Sequence, residues 1–345
     1  MSMLNRKQFL QGTLGALMAP AIIRTAVAQT TAIRCVLNWS LAGDTAPFFL
    51  AAERGYFAEE KLEVTLDTSN GSGDAVTRVA SGAYQMGVAD VATLVEFAVR
   101  QPNVVPRTVM MLFDRSPQAV MTMKRSGITK LSELPGRVMG IGTSDGASRL
   151  FPALLRKNGL DIDKIEKKSI TPPLREPMLI TGQVDAACAY DFTSWFNLKA
   201  RGVKREDVNI IYYADNGLDL YSNSIIAGRS ILEGNPEAVR RFTRAAAKGW
   251  RDAMAEPAAA AAVLKKQSAL IDTAIETERV TWIRDNEVRT AHTLQNGIGK
   301  IDPERLKSDI ATVAAGFGLS ATPALEAIYD DRFLPEIADR AIGLR

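Results

Sequence analysis

The chain holds 345 residues, with 42 Lys plus Arg against 39 Asp plus Glu, one His and two Cys. Such a length makes two domains or one large one. Arg6, Lys7 and Arg24 fall in a leading stretch, 1–28, that contains no acid. The remainder is therefore near neutral, and nothing points to nucleic acid as a partner. A lone His292 cannot build a metal centre or a histidine-based triad, so no metal, cofactor or catalytic residue is expected.

The amino end joins Arg6-Lys7 to an apolar run, Phe9 to Ile23, and then Ala26-Val27-Ala28. Charge, apolar core and an A-x-A site predict a secretory signal peptide over 1–28, cleaved near Ala28. The apolar run is too short to span a membrane. Asn5 to Leu10 resembles a twin-arginine signal with Lys7 in place of the second Arg. Ala32-Ile33-Arg34 lacks the small residue that precedes a lipidated cysteine, which favours a soluble periplasmic protein over a lipoprotein.

Ile33–Leu37 reads as a buried strand, Asn38–Gly43 as a loop, and Asp44 as a helix cap with Pro47 in the first turn. Gly55 ends that helix, and Leu62–Leu66 is the next strand. Asp67–Asp74 is turn-rich and leads to a helix over 75–81. Met86–Ala89 is a strand and Val91–Arg100 a helix, followed by strands over 104–113 and 118–124. Arg137–Ile141 is a strand, and the loop Gly142–Ser148 opens a helix over 149–158. Strands are expected over 165–170, 184–189, 208–213 and 224–227, with helices over 174–181 and 193–200. Four helices follow, over 236–255, 257–267, 273–289 and 303–317. Alternating strands and helices of these lengths argue for an α/β protein with mostly parallel sheets. No repeat is visible. Cys35 and Cys188 lie in apolar strands, and no disulfide between them is expected.

Trp39 in a loop, then Ala46-Pro47-Phe48 and Glu53-Arg54-Gly55-Tyr56-Phe57, resemble the opening of periplasmic substrate-binding proteins of ABC importers. The branch is the nitrate/sulfonate/thiamine-pyrimidine-binding family. The resemblance implies a type II periplasmic-binding fold: two lobes joined by crossings near 114–117 and 219–223. Lobe I then takes 29–115 and 225–345, and lobe II takes 116–224. It also implies a monomer that shuts on a small-molecule ligand and docks on an inner-membrane ABC permease. The resemblance extends to relatives that synthesise the thiamine pyrimidine, bind pyridoxal phosphate and use a histidine and a Cys-rich segment; this chain has a single misplaced His292 and no Cys cluster, so no enzyme is expected. A periplasmic sensor fits the same features.

Ligands of open α/β sheets sit at the carboxyl ends of strands, and that rule selects the candidate site. Asp44, Asp90, Asp145 and Asp191 each follow a strand and precede a helix, as ligand contacts or as plain helix caps. The small residues Thr143, Ser144 and Ser148, like Ser72 in the earlier loop, expose backbone N–H groups beside helix starts. The loop is no Walker sequence, since no Gly-Lys-Thr/Ser follows. Trp39, Phe48, Phe192, Trp195 and Tyr221 are stacking surfaces for a flat ligand, or core and hinge packing. Asn223 closes the second crossing. Arg175 either forks onto a carboxylate or sulfonate or pairs with Glu176 on a solvated surface. The inventory favours a flat organic ligand, such as a pyrimidine, a riboflavin-like ring or an aromatic acid. Taurine, other alkanesulfonates and nitrate are the alternative.

Overall fold

The computed structural model describes residues 30–343; the expected signal peptide lies outside them. Two five-stranded sheets form the centres of two α/β lobes. The first is ordered β2-β1-β3-β10-β4, from β1 (Thr31–Val36), β2 (Leu62–Asp67), β3 (Met86–Asp90), β4 (Arg107–Met111) and β10 (Asn223–Ala227). The second is ordered β7-β6-β8-β5-β9, from β5 (Gln118–Met123), β6 (Val138–Gly142), β7 (Glu166–Ile170), β8 (Ala186–Tyr190) and β9 (Val208–Tyr212). The chain passes between the sheets after β4 and again after β9. In each sheet the strand that follows a passage, β5 or β10, runs antiparallel to both neighbours, while the other pairings are parallel.

The two sheets share one plan that the sequence does not display. Segments 86–100 and 186–200 have the same burial pattern, each a buried strand running straight into a helix. Each is preceded by a glycine in the left-handed region, Gly82 (φ 80°) and Gly182 (φ 75°). The side chains of the two segments differ, yet both run from strand into helix in the same way. Asp185 fastens the later segment, its carboxylate accepting from the Val138 N–H at 2.9 Å.

Helices α1 (Ala46–Glu53), α2 (Tyr56–Glu59), α3 (Ser72–Ala80), α4 (Val91–Arg100), α5 (Gly146–Lys157), α6 (Arg175–Thr181) and α7 (Asp191–Lys199) flank the strands. The later chain adds α8 (Arg229–Gly234), α9 (Pro236–Ala255), α10 (Pro257–Gln267), α11 (Thr273–Ile283), α12 (Ala291–Asn296) and α13 (Pro303–Phe317). Proline at the first position of α9, α10 and α13 sets φ for the opening turn without losing a needed donor. Phe48, Phe113 and Trp250 pack edge to face, with centroids 6.1 and 5.9 Å apart, and Phe113 meets Phe192 of α7 at 5.8 Å.

Some boundaries differ from expectation for local reasons. Pro106 has no N–H to give a ladder, and β4 starts after it. Helix α5 begins before Arg149 because the Asp145 carboxylate accepts from Ser148 N–H at 2.8 Å. The expected helix over 273–289 changes to a π-helical turn at Arg284–Val288. There the Glu287 carbonyl accepts from the N–H groups of Asp114 and Arg115, 3.0 and 3.1 Å away, and so ties the turn to the first crossing. Cys35 and Cys188 are buried free thiols in different sheets.

Candidate ligand-binding cleft

Loops at the carboxyl ends of both sheets face each other across a narrow cleft. The cavity there is lined by Asn38, Trp39 and Asp44 after β1, and by Gly71 and Ser72 at the start of α3. Asp145, Gly146, Arg175, Tyr190 and Thr193 line it from the second lobe. It measures ≈ 20 Å³, the space of about one water molecule. A smaller recess between Trp39, Asp145 and Arg175 adjoins it, bounded by Gly142, Ile170, Pro172 and Cys188. The structure is therefore a shut form, and a ring-sized ligand requires the lobes to part.

Backbone approach fixes how tightly the lobes shut. Gly73 N–H donates to the Ser144 carbonyl across the cleft at 3.1 Å. A Cβ on Gly71 would stand 2.5 Å from that same carbonyl oxygen, and one on Gly146 would stand 3.1 Å from the Asp90 Cβ. Glu96 of α4 and Arg149 of α5 add an ion pair across the gap.

Asp90 organises the floor. One carboxylate oxygen caps α4, accepting from Ala92 and Thr93 N–H. The other accepts from Ser222 Oγ at 2.8 Å, Gln118 Nε2 at 2.9 Å and Tyr190 Oη at 3.3 Å. Tyr190 Oη also reaches Asn223 Oδ1 at 3.0 Å. Burial raises the Asp90 pKa, and these hydrogen bonds oppose the rise. With both oxygens occupied, Asp90 holds the floor together rather than offering itself to a ligand.

Asp44 and Arg175 differ from Asp90 in having unused capacity. Thr45, not Asp44, occupies the cap position of α1; Asp44 turns into the cavity, and its Oδ1 has no partner. Burial pushes its pKa up to about 7, against the pull of Arg279 on α11. Arg175 is buried, not solvated as its pairing with Glu176 suggested. Its Nε donates to Glu176 Oε1 at 2.8 Å, and its Nη2 is unpartnered. The guanidinium lies over the Trp39 ring, 5.6 Å from the centroid. Burial opposes its charge, but Glu176 and Asp145 more than compensate.

The structure thus brings Trp39, Asp44, Ser72 and Asp145 to one cavity, with Asp90 and Asn223 beneath it. Ser144 contributes its carbonyl, Thr143 is exposed beside it, and Ser148 Oγ accepts from Gly142 N–H at 2.9 Å inside the turn. The remaining candidates stand elsewhere. Phe48 and Phe192 are core. Asp191 accepts from Trp282 Nε1 at 2.8 Å and Tyr212 Oη at 3.0 Å. Trp195 packs on Phe196 under Arg205. Tyr221 Oη accepts from Asp302 N–H, and its ring lies under Arg305 at 4.1 Å. Asn38, Gly71, Gly146, Tyr190 and Thr193 were not anticipated, although the strand-end rule covers Asn38 and Tyr190. His292 meets the Lys300 carbonyl at 3.0 Å, away from the cleft. Among the described residues no cluster of His, Cys, Asp and Glu is arranged to hold a metal ion, and no helix is long and apolar enough to cross a membrane.

The family model described as NMT1/THI5 like matches residues 42–260, more than half of the chain. The chain belongs to the NMT1/THI5-like family. Riboflavin-binding protein RibY of Chloroflexus aurantiacus is 30% identical over 217 residues, covering 61% of this chain and 59% of that protein. The chain thus matches about three-fifths of the length of RibY. A 4-amino-5-hydroxymethyl-2-methylpyrimidine phosphate synthase of Aspergillus parasiticus is 28% identical over 243 residues, covering 67% of this chain and 69% of that protein. The alkanesulfonate-binding protein SsuA of Xanthomonas axonopodis pv. citri, solved bound to MOPS, superposes with a TM-score of 0.68 over 88% of this chain and 99% of its own, at 15% identity. That likeness is one of fold: this NMT1/THI5-like chain has the two-lobed periplasmic-binding architecture.

Proposed function

We propose that the protein is the solute-binding component of an ABC importer. It acts as a periplasmic monomer that shuts on a small flat organic ligand and presents the shut form to a permease. Residues 29–115 with 225–345 make one lobe in this reading, and 116–224 the other. The observation that carries it is the Arg175 guanidinium of one lobe lying over the Trp39 ring of the other, inside a cavity that both lobes line. Ligand contacts with both lobes exist only when the cleft is shut, so differential affinity draws the population to the shut form.

Pyrimidines, riboflavin-like rings and aromatic acids suit a cavity walled by Trp39. The names of RibY and of the pyrimidine phosphate synthase support flat heterocycles. Taurine, alkanesulfonates and nitrate suit it less. Asp44 and Asp145 border the same space, where carboxylates repel nitrate and simple alkanesulfonates, which bring no donor, while taurine brings an ammonium but no ring to lie on Trp39. Binding without turnover suits a cavity with no nucleophile–base pair in its lining.

Calorimetry on the mature protein with pyrimidines, flavins, aromatic acids, taurine and nitrate tests the ligand class, and small-angle scattering tests closure. Tight binding of a flat compound with a fall in radius of gyration is expected. Binding confined to taurine or nitrate would overturn the ligand class. Scattering curves unchanged across the whole panel would overturn the solute-binding reading.

A further inference from the structure

Two side chains in the cavity lining carry buried polar atoms with no partner: Asp44 Oδ1 from the loop before α1, and Arg175 Nη2 from the start of α6. Asp44 is 5% exposed and Arg175 4%. Unpaired polar atoms at such depth are unfavourable, and native proteins nearly always satisfy them. The two differ in sense, since a carboxylate oxygen accepts and a guanidinium nitrogen only donates. They also stand on opposite lobes. They do not serve each other: the charge of Arg175 leans on Glu176 and Asp145, whereas that of Asp44 faces Arg279 and Glu276. Between them the Trp39 ring supplies a flat wall on which the guanidinium already rests. Asp145 is engaged as the cap of α5, and Tyr190 with Asp90 and Asn223.

We infer that the cleft selects its ligand by polarity across the gap. Asp44 takes an N–H of a flat ring, and Arg175 takes an oxygen or ring-nitrogen acceptor on its opposite edge. This rests on the solute-binding reading above and narrows it to aromatic molecules that carry a donor at one end and an acceptor at the other. A molecule with only one of these leaves the far lobe unsatisfied and shuts the cleft poorly. An anion with acceptors alone meets Asp44 unfavourably.

The pair also predicts a pH signature. The charged and titratable groups around Asp44 are Arg279 and Glu276 on α11 and, lining the same cavity, Arg175, Asp145 and Tyr190. A donor on the ligand favours the ionised carboxylate, so protonation of Asp44 opposes binding and affinity rises as pH rises through the titration of Asp44.

Three neutral probes separate the contributions: 4-aminobenzamide (amino donor opposite an amide acceptor), benzamide (without the amino group) and 4-methylaniline (without the acceptor). Calorimetry on the mature protein is expected to show 4-aminobenzamide binding at least tenfold tighter than either of the others. Asp44→Leu, which removes the acceptor, should bring 4-aminobenzamide within about twofold of benzamide and remove the rise with pH, its melting curve checking folding. Arg175→Lys keeps a cation for Glu176 but removes Nη2. It should weaken both amides severalfold and leave 4-methylaniline unchanged; its melting curve checks folding. Equal wild-type affinity for 4-aminobenzamide and benzamide, or no binding of any probe while another solute still compacts the protein, overturns the inference alone. If no solute compacts the protein, the underlying reading fails instead.

Discussion

Gly71→Ala separates what holds the lobes shut from what holds each lobe folded. Gly71 has φ 130° and ψ 171°, a region open essentially to glycine, so a side chain there costs about 1–3 kcal/mol whether the cleft is open or shut. That part lowers the melting temperature. A second part exists only in the shut form, where the new Cβ would lie 2.5 Å from the Ser144 carbonyl oxygen and 2.7 Å from its carbon. The lobes relieve this by parting, which breaks the bond from Gly73 N–H to the same oxygen, worth about 0.5–1.5 kcal/mol. Closure thus loses about 0.5–1.5 kcal/mol, roughly a two- to twelvefold weaker affinity. Gly249→Ala is the control: its Cβ would meet the Pro47 carbonyl oxygen at 2.4 Å within one lobe, an overpacking loss of about 1–3 kcal/mol with no cross-cleft part. Thermal melts and calorimetry, using whichever solute compacts the wild type, read both. The reasoning fails if Gly71→Ala melts lower yet binds within twofold of wild type, or if Gly249→Ala weakens binding as much.

Asp44 holds its proton more tightly folded, at about 7 against 3.8, so its contribution to stability is complete below about pH 4. It is lost toward pH 7 at up to about 1.4 kcal/mol per unit. Urea melts of Asp44→Asn should show a shallower decline over that window than wild type; parallel curves would refute this. Glu287 is raised well above the usual carboxylate range by burial and by the charge of Asp191, so its stabilisation is likewise lost as pH rises through the folded value. Glu287→Gln should then gain stability at pH 8 and none at pH 5, whereas a pH-independent difference would count against the coupling. Phe48→Ala should cost about 3–5 kcal/mol of stability with affinity nearly unchanged. Trp39→Ala should do the reverse, and melts paired with calorimetry distinguish the two.

The elements that local chemistry specifies were legible. Val91–Arg100, Pro236–Ala255, Pro257–Gln267 and Pro303–Phe317 match their expected bounds, because caps and opening prolines lie within a turn of the boundary they set. The π-turn at Arg284–Val288 was not legible, since its cause is the distant N–H groups of Asp114 and Arg115. In the cleft, the strand-end rule pointed to Trp39, Asp44, Ser72 and Asp145, which line the cavity. It misplaced the emphasis after β8, where phase decides. Tyr190 ends the strand and faces the cavity, while Asp191, one residue on, starts the helix and turns to Trp282 and Tyr212. Arg175 pairs with Glu176, one of its two expected roles, but inside the protein rather than on a solvated surface. Only the fold reveals that Glu176 goes inside with it.

The position of β10 imposes an order on biogenesis. This five-residue strand slots between β3 and β4, yet it is translated after every strand of the second sheet. A nascent chain halted at residue 222 owns a complete second sheet, while β4 still lacks its ladder partner. The first sheet therefore cannot be completed until residues 223–227 emerge, whereas the second can already be whole.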